Sequence, residues 1–206
     1  MKHLRPAIVL TLFFVVVTGL AFPAVIWAIG SVAFPNQASG SLLRDGHGNL
    51  IGSVLIGQGF TRPEYFHPRP SAAGAGYDAA NSGGTNLGPT SDKLINGIKD
   101  DPTTKDVDET YLGFRSLAKA YREENGLAAD TLIPADAATR SGSGLDPEIS
   151  PANAELQMAR VARARGLGVN RIQKAVLQHT SARWLALIGE PRVNVLQLNL
   201  ALDAIE

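Results

Sequence analysis

No cysteine occurs among the 206 residues. That absence excludes disulfides, thiolate nucleophiles and cysteine-ligated metals. Histidine is nearly as scarce, and the spacing of His3, His47, His67 and His179 fits no metal-ligand pattern. No serine stands in a Gly-x-Ser-x-Gly elbow. The acids Glu64, Asp78, Asp146 and Glu190 are scattered through the chain rather than grouped for acid–base work. No catalytic residue and no metal site are therefore expected. Net charge is also lacking, with 19 Lys and Arg against 19 Asp and Glu. A chain without a basic excess has no electrostatic footprint for nucleic acid.

The mean hydropathy of +0.02 is high for a soluble protein and hides a split. From Ala7 to Ala33 no residue carries a charge. The stretch exceeds the roughly 20 residues that cross a bilayer core. Gly19, Pro23 and Gly30 lie within it, and such residues are tolerated in membrane helices. Trp27 and Phe34 sit near its far end, where aromatic rings favour the interface. Ser31-Val32-Ala33 resembles a signal cleavage site, but the run is about twice the usual signal core, so a retained span is expected. Lys2 and Arg5 precede the span and no full positive charge follows until Arg44. The bias predicts a cytoplasmic N-terminus and an extracytoplasmic remainder.

Beyond a polar linker at Asn36 to Gly40, the pattern predicts a hairpin. Its parts are Ser41 to Arg44, a turn at Asp45-Gly46-His47-Gly48, and Asn49 to Gly57. Thr90 or Ser91 is placed to cap a helix running to about Lys99, followed by a polar connector from Lys99 to Thr110. Tyr111, Phe114, Leu117, Ala118 and Tyr121 recur at helical spacing, with Asp108 and Glu109 at the start and Gly126 as the stop. Ser150-Pro151 opens a helix that Gly166 ends, with Leu156, Ala159, Val161 and Ala162 as its apolar positions. A short helix is expected from about Asn170 to His179 and a strand from Val193 to Leu198. Leu200 to Ile205 reads as a terminal turn or helix. The predicted class is mixed α/β: a transmembrane helix within residues 1–34, then one extracytoplasmic α+β domain with a small sheet, residues 35–206.

Glycine is abundant, and three loops built from it invite a phosphate reading. Gly83 to Thr90 has the glycine spacing and final threonine of a P-loop, but Pro89 occupies the lysine position. Proline cannot reach a phosphate and removes an amide from the cradle. Gly74-x-Gly76-x-x-Ala79 has dinucleotide spacing, yet Pro68-Arg69-Pro70-Ser71 precedes it instead of a strand. The third loop, Ser141 to Pro147, lies just before the helix start at Ser150, where an anion or a partner could also be held. No intrinsic nucleotide site is expected.

Taken together, these loops resemble the KdpC family, the C subunit of the bacterial potassium-transporting P-type ATPase. The resemblance rests on Gly52-Ser53-x-Leu55-Ile56-Gly57-Gln58 and on Tyr65-Phe66-x-Pro68 through Tyr77-Asp78. It also rests on Asn86-Leu87-Gly88-Pro89-Thr90 and on Ser141 through Ser150. Arg160-Val161-Ala162-x-Ala164-Arg165-Gly166 and Gly189-Glu190-Pro191-Arg192-Val193-Asn194 through Asp203 complete it. The resemblance implies an accessory, non-catalytic, single-span subunit of an ATP-driven potassium importer in the cell inner membrane. Its implied partners are a channel-like subunit and an ATP-hydrolysing subunit. It further implies a catalytic-chaperone role in ATP affinity, so ATP enters by resemblance only. The charge bias puts the glycine loops on the side opposite cytoplasmic ATP. The loops are then expected to face a partner chain, through Arg69, Ser71, Gly74, Gly76, Asp78, Asn86, Ser143, Asp146, Glu190 and Arg192. Arg69 is the expected anchor, unless it pairs internally with Asp78 or Glu64. The alternative is a secreted or membrane-tethered binding module.

Overall fold

The uncharged run lies within one helix, Leu4 to Ala33, about 45 Å long at 1.5 Å per residue, which is long and apolar enough to cross a membrane. The computed structural model describes residues 3–45, 47–98 and 111–205. Lys2, Gly46, the connector from Lys99 to Thr110, and Asp108 and Glu109 within it lie outside the described residues. The long helix comprises α1 (Leu4–Val16), a π-helical turn (Val17–Ala21) and α2 (Phe22–Ala33). The register slips where Pro23 lacks the amide that would bond the Gly19 carbonyl. So proline and glycine reshape the helix without ending it.

Two compact units divide between Ser53 and Val54. The first continues with α3 (Pro35–Ala38), β1 (Leu42–Arg44) and β2 (Leu50–Ser53). The strands form an antiparallel hairpin in which Leu42 faces Ser53 and Leu43 faces Gly52. In its turn the Asp45 carboxylate accepts from the side chain and backbone of Asn49 and from the His47 amide. These bonds, the Asn49 side chain first, hold the Asp45 carboxyl below the usual carboxylate range. The second strand stops at Ser53, short of the expected Gly57. Backbone groups past it are used elsewhere: Asn194 donates to the Val54 carbonyl (2.9 Å), and the Gly57 amide donates to Leu145 (2.8 Å).

In the second unit, Ser91 caps α4 (Asp92–Asn96), and Gly97 ends it at φ +85°. The helix is therefore shorter than the expected run to Lys99. Next, α5 (Phe114–Asn125) ends at Gly126 as expected but begins later than Tyr111. Tyr111 instead exchanges both backbone bonds with Ile98. After α6 (Ala135–Ala138) and β3 (Glu148–Ile149), α7 spans Pro151–Arg165. Its Ser150 cap accepts from Asn153, and its Gly166 stop lies at φ +64°. There follow α8 (Val169–Gln178), β4 (Thr180–Ser181), β5 (Arg192–Asn194) and α9 (Val195–Asp203).

The expected strand over Val193 to Leu198 is thus a strand only to Asn194. Asn194 then caps a helix by accepting from the Gln197 amide (3.0 Å). Val195, Leu198 and Leu202 are buried at helical spacing, which outweighs the β-branched character of the segment. β5 sits between β3 and β4, antiparallel to both. Ile149, Val161, Ile172, Val193, Leu198 and Leu202 pack in one core with Phe66. Each such side chain contributes about 1.5–3 kcal/mol when fully buried.

One face of α7 differs from its expected pattern. Ala159 is exposed and Leu156 half-buried, whereas polar Asn153, Gln157 and Arg160 are buried beside Val161. Gln157 accepts from the His67 amide (2.7 Å) and donates to the His67 carbonyl (3.0 Å). From α9, Asn199 does the same for Phe66, at 2.8 and 2.9 Å. Arg160 donates to the carbonyls of Pro63 (2.7 Å) and Tyr65 (2.9 Å), and to Asn125 and Gln157. Burial pushes the Arg160 guanidinium below its ordinary pKa, partly offset by the nearby Glu124 charge. An extended, proline-rich segment is thereby held like a strand by side chains.

Asn199→Ala would strip both bonds from the buried Phe66 backbone. At about 1–3 kcal/mol for each buried group left unsatisfied, the loss should be on the order of 3 kcal/mol. Denaturant unfolding of the detergent-solubilised chain measures it. Leu132→Ala, at a residue 91% exposed, is the control expected to stay within about 0.5 kcal/mol.

Candidate functional site

Two glycine-containing loops, residues 69–91 and 141–147, lie against each other and frame the candidate surface. The Gly83 amide and the Ser82 hydroxyl both donate to the Ser143 carbonyl, at 2.8 and 2.9 Å. The Ser141 amide donates to the Pro70 carbonyl (3.2 Å). Ser71 donates to the Gly144 carbonyl (2.6 Å) and accepts from the amides of Ala73 and Tyr77. Tyr77 donates its hydroxyl to the Arg69 carbonyl, and burial pushes that phenol well above its ordinary range.

Glycine is required where these backbones touch. At Gly144, φ is +70°, and a Cβ would stand 2.7 Å from the Ala73 amide nitrogen and from the Gly83 carbonyl. A Cβ on Gly84 would stand 2.7 Å from the Gly142 carbonyl. The close approach is therefore made to the chain's own second loop. Gly74 and Gly76 supply positive φ angles of +54° and +110° to the turn before Asp78, and Asn86 also adopts a positive φ. Asp78 accepts from Asn81 (2.6 Å) and from the Ala80 amide (2.9 Å), which hold its carboxyl low.

Arg69, Asp146, Glu190 and Arg192 line one open cleft of about 520 Å³. The structure does not bring Ser71, Gly74, Gly76, Asp78, Asn86 or Ser143 into its lining. Five of the cleft's six charged residues are in ion pairs. Arg69 meets Asp146 at 2.9 Å and Arg192 meets Glu148 at 2.8 Å. Glu190 meets Arg183 at 2.6 Å. The internal partner of Arg69 is thus Asp146. Glu64 is taken by Arg62 (2.7 Å) and Asp78 by Asn81. Further weak contacts run from the Arg69 guanidinium to Thr139 and the Arg140 carbonyl, while its Nε is buried without a partner among the described residues.

Asp136 and Glu148 also line the cleft and were not singled out from sequence. Asp136 accepts from the Ser150 amide (2.8 Å), the Ser150 hydroxyl (2.9 Å) and Asn153 (2.9 Å). The N-terminus of α7, an anion site in principle, already has the chain's own carboxylate beside it. Nothing local marks Asp136 in the sequence, since its partners lie at residues 150 and 153. Glu148 carried a usable signal in its place next to the Ser150-Pro151 cap, which fixes where a strand must end. Among the described residues no group of three or more His, Asp or Glu is placed to hold a metal ion. The surface offers a defined shape and mostly paired charge.

The family model for KdpC, described as "K+-transporting ATPase, c chain", matches residues 4–204. The Potassium-transporting ATPase KdpC subunit of Mycobacterium tuberculosis (strain H37Rv) is 49% identical over 203 residues, covering 98% of each chain. The protein of the same name from Caulobacter sp. (strain K31) is 50% identical over 204 residues, covering 99% of this chain and 94% of its own. The similarity runs through the long apolar helix, both glycine loops and the cleft alike, and the chain belongs to the KdpC family.

Proposed function

We propose that this chain is the accessory, non-catalytic subunit of an ATP-driven, high-affinity potassium importer of the cell inner membrane. Its helix Leu4–Ala33 spans the bilayer once, with the N-terminus cytoplasmic and the second unit on the opposite side. The observation that carries this reading is similarity over almost the whole chain to proteins named Potassium-transporting ATPase KdpC subunit. Its partners are a channel-like subunit that selects potassium and a subunit that hydrolyses ATP. Purification of a tagged chain in mild detergent should bring down both, and recovery of this chain alone would overturn the reading.

The role assigned to the second unit is docking. Loops that are already rigid lose less entropy on binding, so they suit a contact surface. The support lies in how the two loops bond to each other before any partner arrives. Any effect on ATP affinity is then exerted through the ATP-hydrolysing partner. Two observations favour this. Pro89 stands at the P-loop lysine position, and the amides of Gly76, Gly83 and Gly144 donate to Ala73, Ser143 and Ser141. A phosphate cradle needs such amides free.

Three measurements bear on these assignments. Leu132→Cys places a single thiol in a cysteine-free chain at a residue 91% exposed. It should react with an impermeant maleimide added outside intact cells; labelling only after lysis would reverse the orientation. The purified chain should show no Mg²⁺-dependent ATP binding tighter than about 10 μM, roughly −7 kcal/mol, by calorimetry. Tighter binding would restore a direct nucleotide site. Arg69→Ala should lower the thermal midpoint, costing about 1–2 kcal/mol through the lost Asp146 pair, with recovery of the complex falling in proportion. An unchanged midpoint with recovery lost would make Arg69 a docking residue instead.

A further inference from the structure

The loop between β4 and β5 is exposed from Ser181 to Arg192, yet its tip is apolar. Trp184, Leu185, Leu187 and Ile188 are 64%, 69%, 81% and 60% exposed. Isolated exposed hydrophobes are ordinary, but a consecutive group on one protruding tip marks a contact surface. No charge lies between Arg183 and Glu190, and those two pair with each other at 2.6 Å across the base of the tip.

Backbone conformation strengthens the case. Leu185 and Ala186 occupy the two central positions of a tight turn closed by Leu187 donating to the Trp184 carbonyl (3.0 Å). Their φ angles are +50° and +61°. Turns of this kind favour Asn-Gly, because both central residues need positive φ. Here Leu-Ala is held there against backbone preference, so apolar surface is presented where local folding would favour polar residues. Strain of that sort points toward a use for the side chains.

Four of the tip's amides are bonded within the tip itself. Trp184 and Ile188 exchange both backbone bonds, at 2.8 and 3.0 Å, and the Ala186 amide donates to Arg183 (3.2 Å). An element entering lipid must satisfy its backbone internally, whereas one entering a protein socket can borrow partners there. Trp is also the side chain that settles most readily at a membrane interface. Through Leu4–Ala33 the chain carries its own candidate span, so a second, weaker lipid contact becomes an intramolecular event at high effective concentration.

We propose that the Trp184–Ile188 tip is a second membrane contact of this chain, seated at the headgroup level of a lipid surface. Because Arg183 and Glu190 neutralise each other, the contact is hydrophobic and does not depend on anionic lipid. The proposal requires only a membrane-embedded chain and stands whichever side of the membrane the second unit occupies.

The test uses the full chain in phosphatidylcholine vesicles, with Trp27→Phe leaving Trp184 as the single tryptophan. Lipid brominated just below the headgroup should quench Trp184 emission by about half or more. The double change Leu185→Asn, Leu187→Glu should abolish that quenching and shift the emission to the red, with circular dichroism unchanged. Quenching by aqueous iodide without quenching by lipid would overturn the proposal. So would protection from both quenchers, which would mean that protein covers the tip. Lipid quenching that survives the double change overturns it as well, since the apolar tip would then not be its cause.

Discussion

The segment from Arg62 to Pro70 cannot pair as a strand, because Pro63, Pro68 and Pro70 remove its donors. The second unit is organised around that defect. The Pro63 and Tyr65 carbonyls are taken by Arg160, Glu64 by Arg165, Phe66 by Asn199 and His67 by Gln157. The Arg62 carbonyl faces Nε2 of His67, and that of Arg69 takes the Tyr77 hydroxyl. Side chains from α7 and α9 perform the work a neighbouring strand would otherwise perform. Arginine suits the central position, since its planar fork serves two carbonyls and two amides at once where lysine could not. Among the described residues no carboxylate forms an ion pair with the buried guanidinium, and the charge that favours it most is that of Glu124. A hydrogen bond from His67 Nδ1 (2.7 Å) holds that carboxyl low and so keeps it charged.

With the segment fixed, both glycine loops acquire fixed ends. Arg69 and Ser71 leave it directly, so the first loop starts from an immobilised point. The second loop runs into β3 and the Ser150 cap, which Asp136 holds from behind. Two loops anchored this way come closest where a Cβ is missing, as at Gly84 and Gly144. The same anchoring brings Arg69 to Asp146 and opens the cleft between β5 and α6. The more exposed pairs, Arg183 with Glu190 and Arg192 with Glu148, add little stability individually. They set the outline of the cleft more than they hold it together.

Much of this was legible in the sequence, and the parts that were not share a cause. The long apolar helix, the Ser150-Pro151 start, and the stops at Gly126 and Gly166 are encoded by adjacent residues, and each stands where its signal placed it. The buried face of α7 was misread because Asn153, Gln157 and Arg160 look like a solvated stripe. Only their bonds to residues 63–67 make that stripe interior. Val193 to Leu198 was misread because β-branched residues outweighed the capping signal of Asn194. In the glycine loops, spacing invites a phosphate reading that Pro89 argues against, but it does not show that Gly84 and Gly144 close on Gly142 and on Ala73 with Gly83. Local grammar was readable; nonlocal hydrogen bonding was not.

That distinction bears on what the second unit can offer a complex. In the cleft Arg69, Asp146, Glu148, Glu190 and Arg192 are in ion pairs, and the N-terminus of α7 already faces Asp136. Phosphate binding needs free amides, and several of the loop amides are already bonded within the chain. The resulting surface is shaped by buried side-chain amides, one buried arginine and close glycine contacts. For a member of a family of transport-ATPase subunits, stiffness is the property that the proline-rich segment and its side-chain clamps supply.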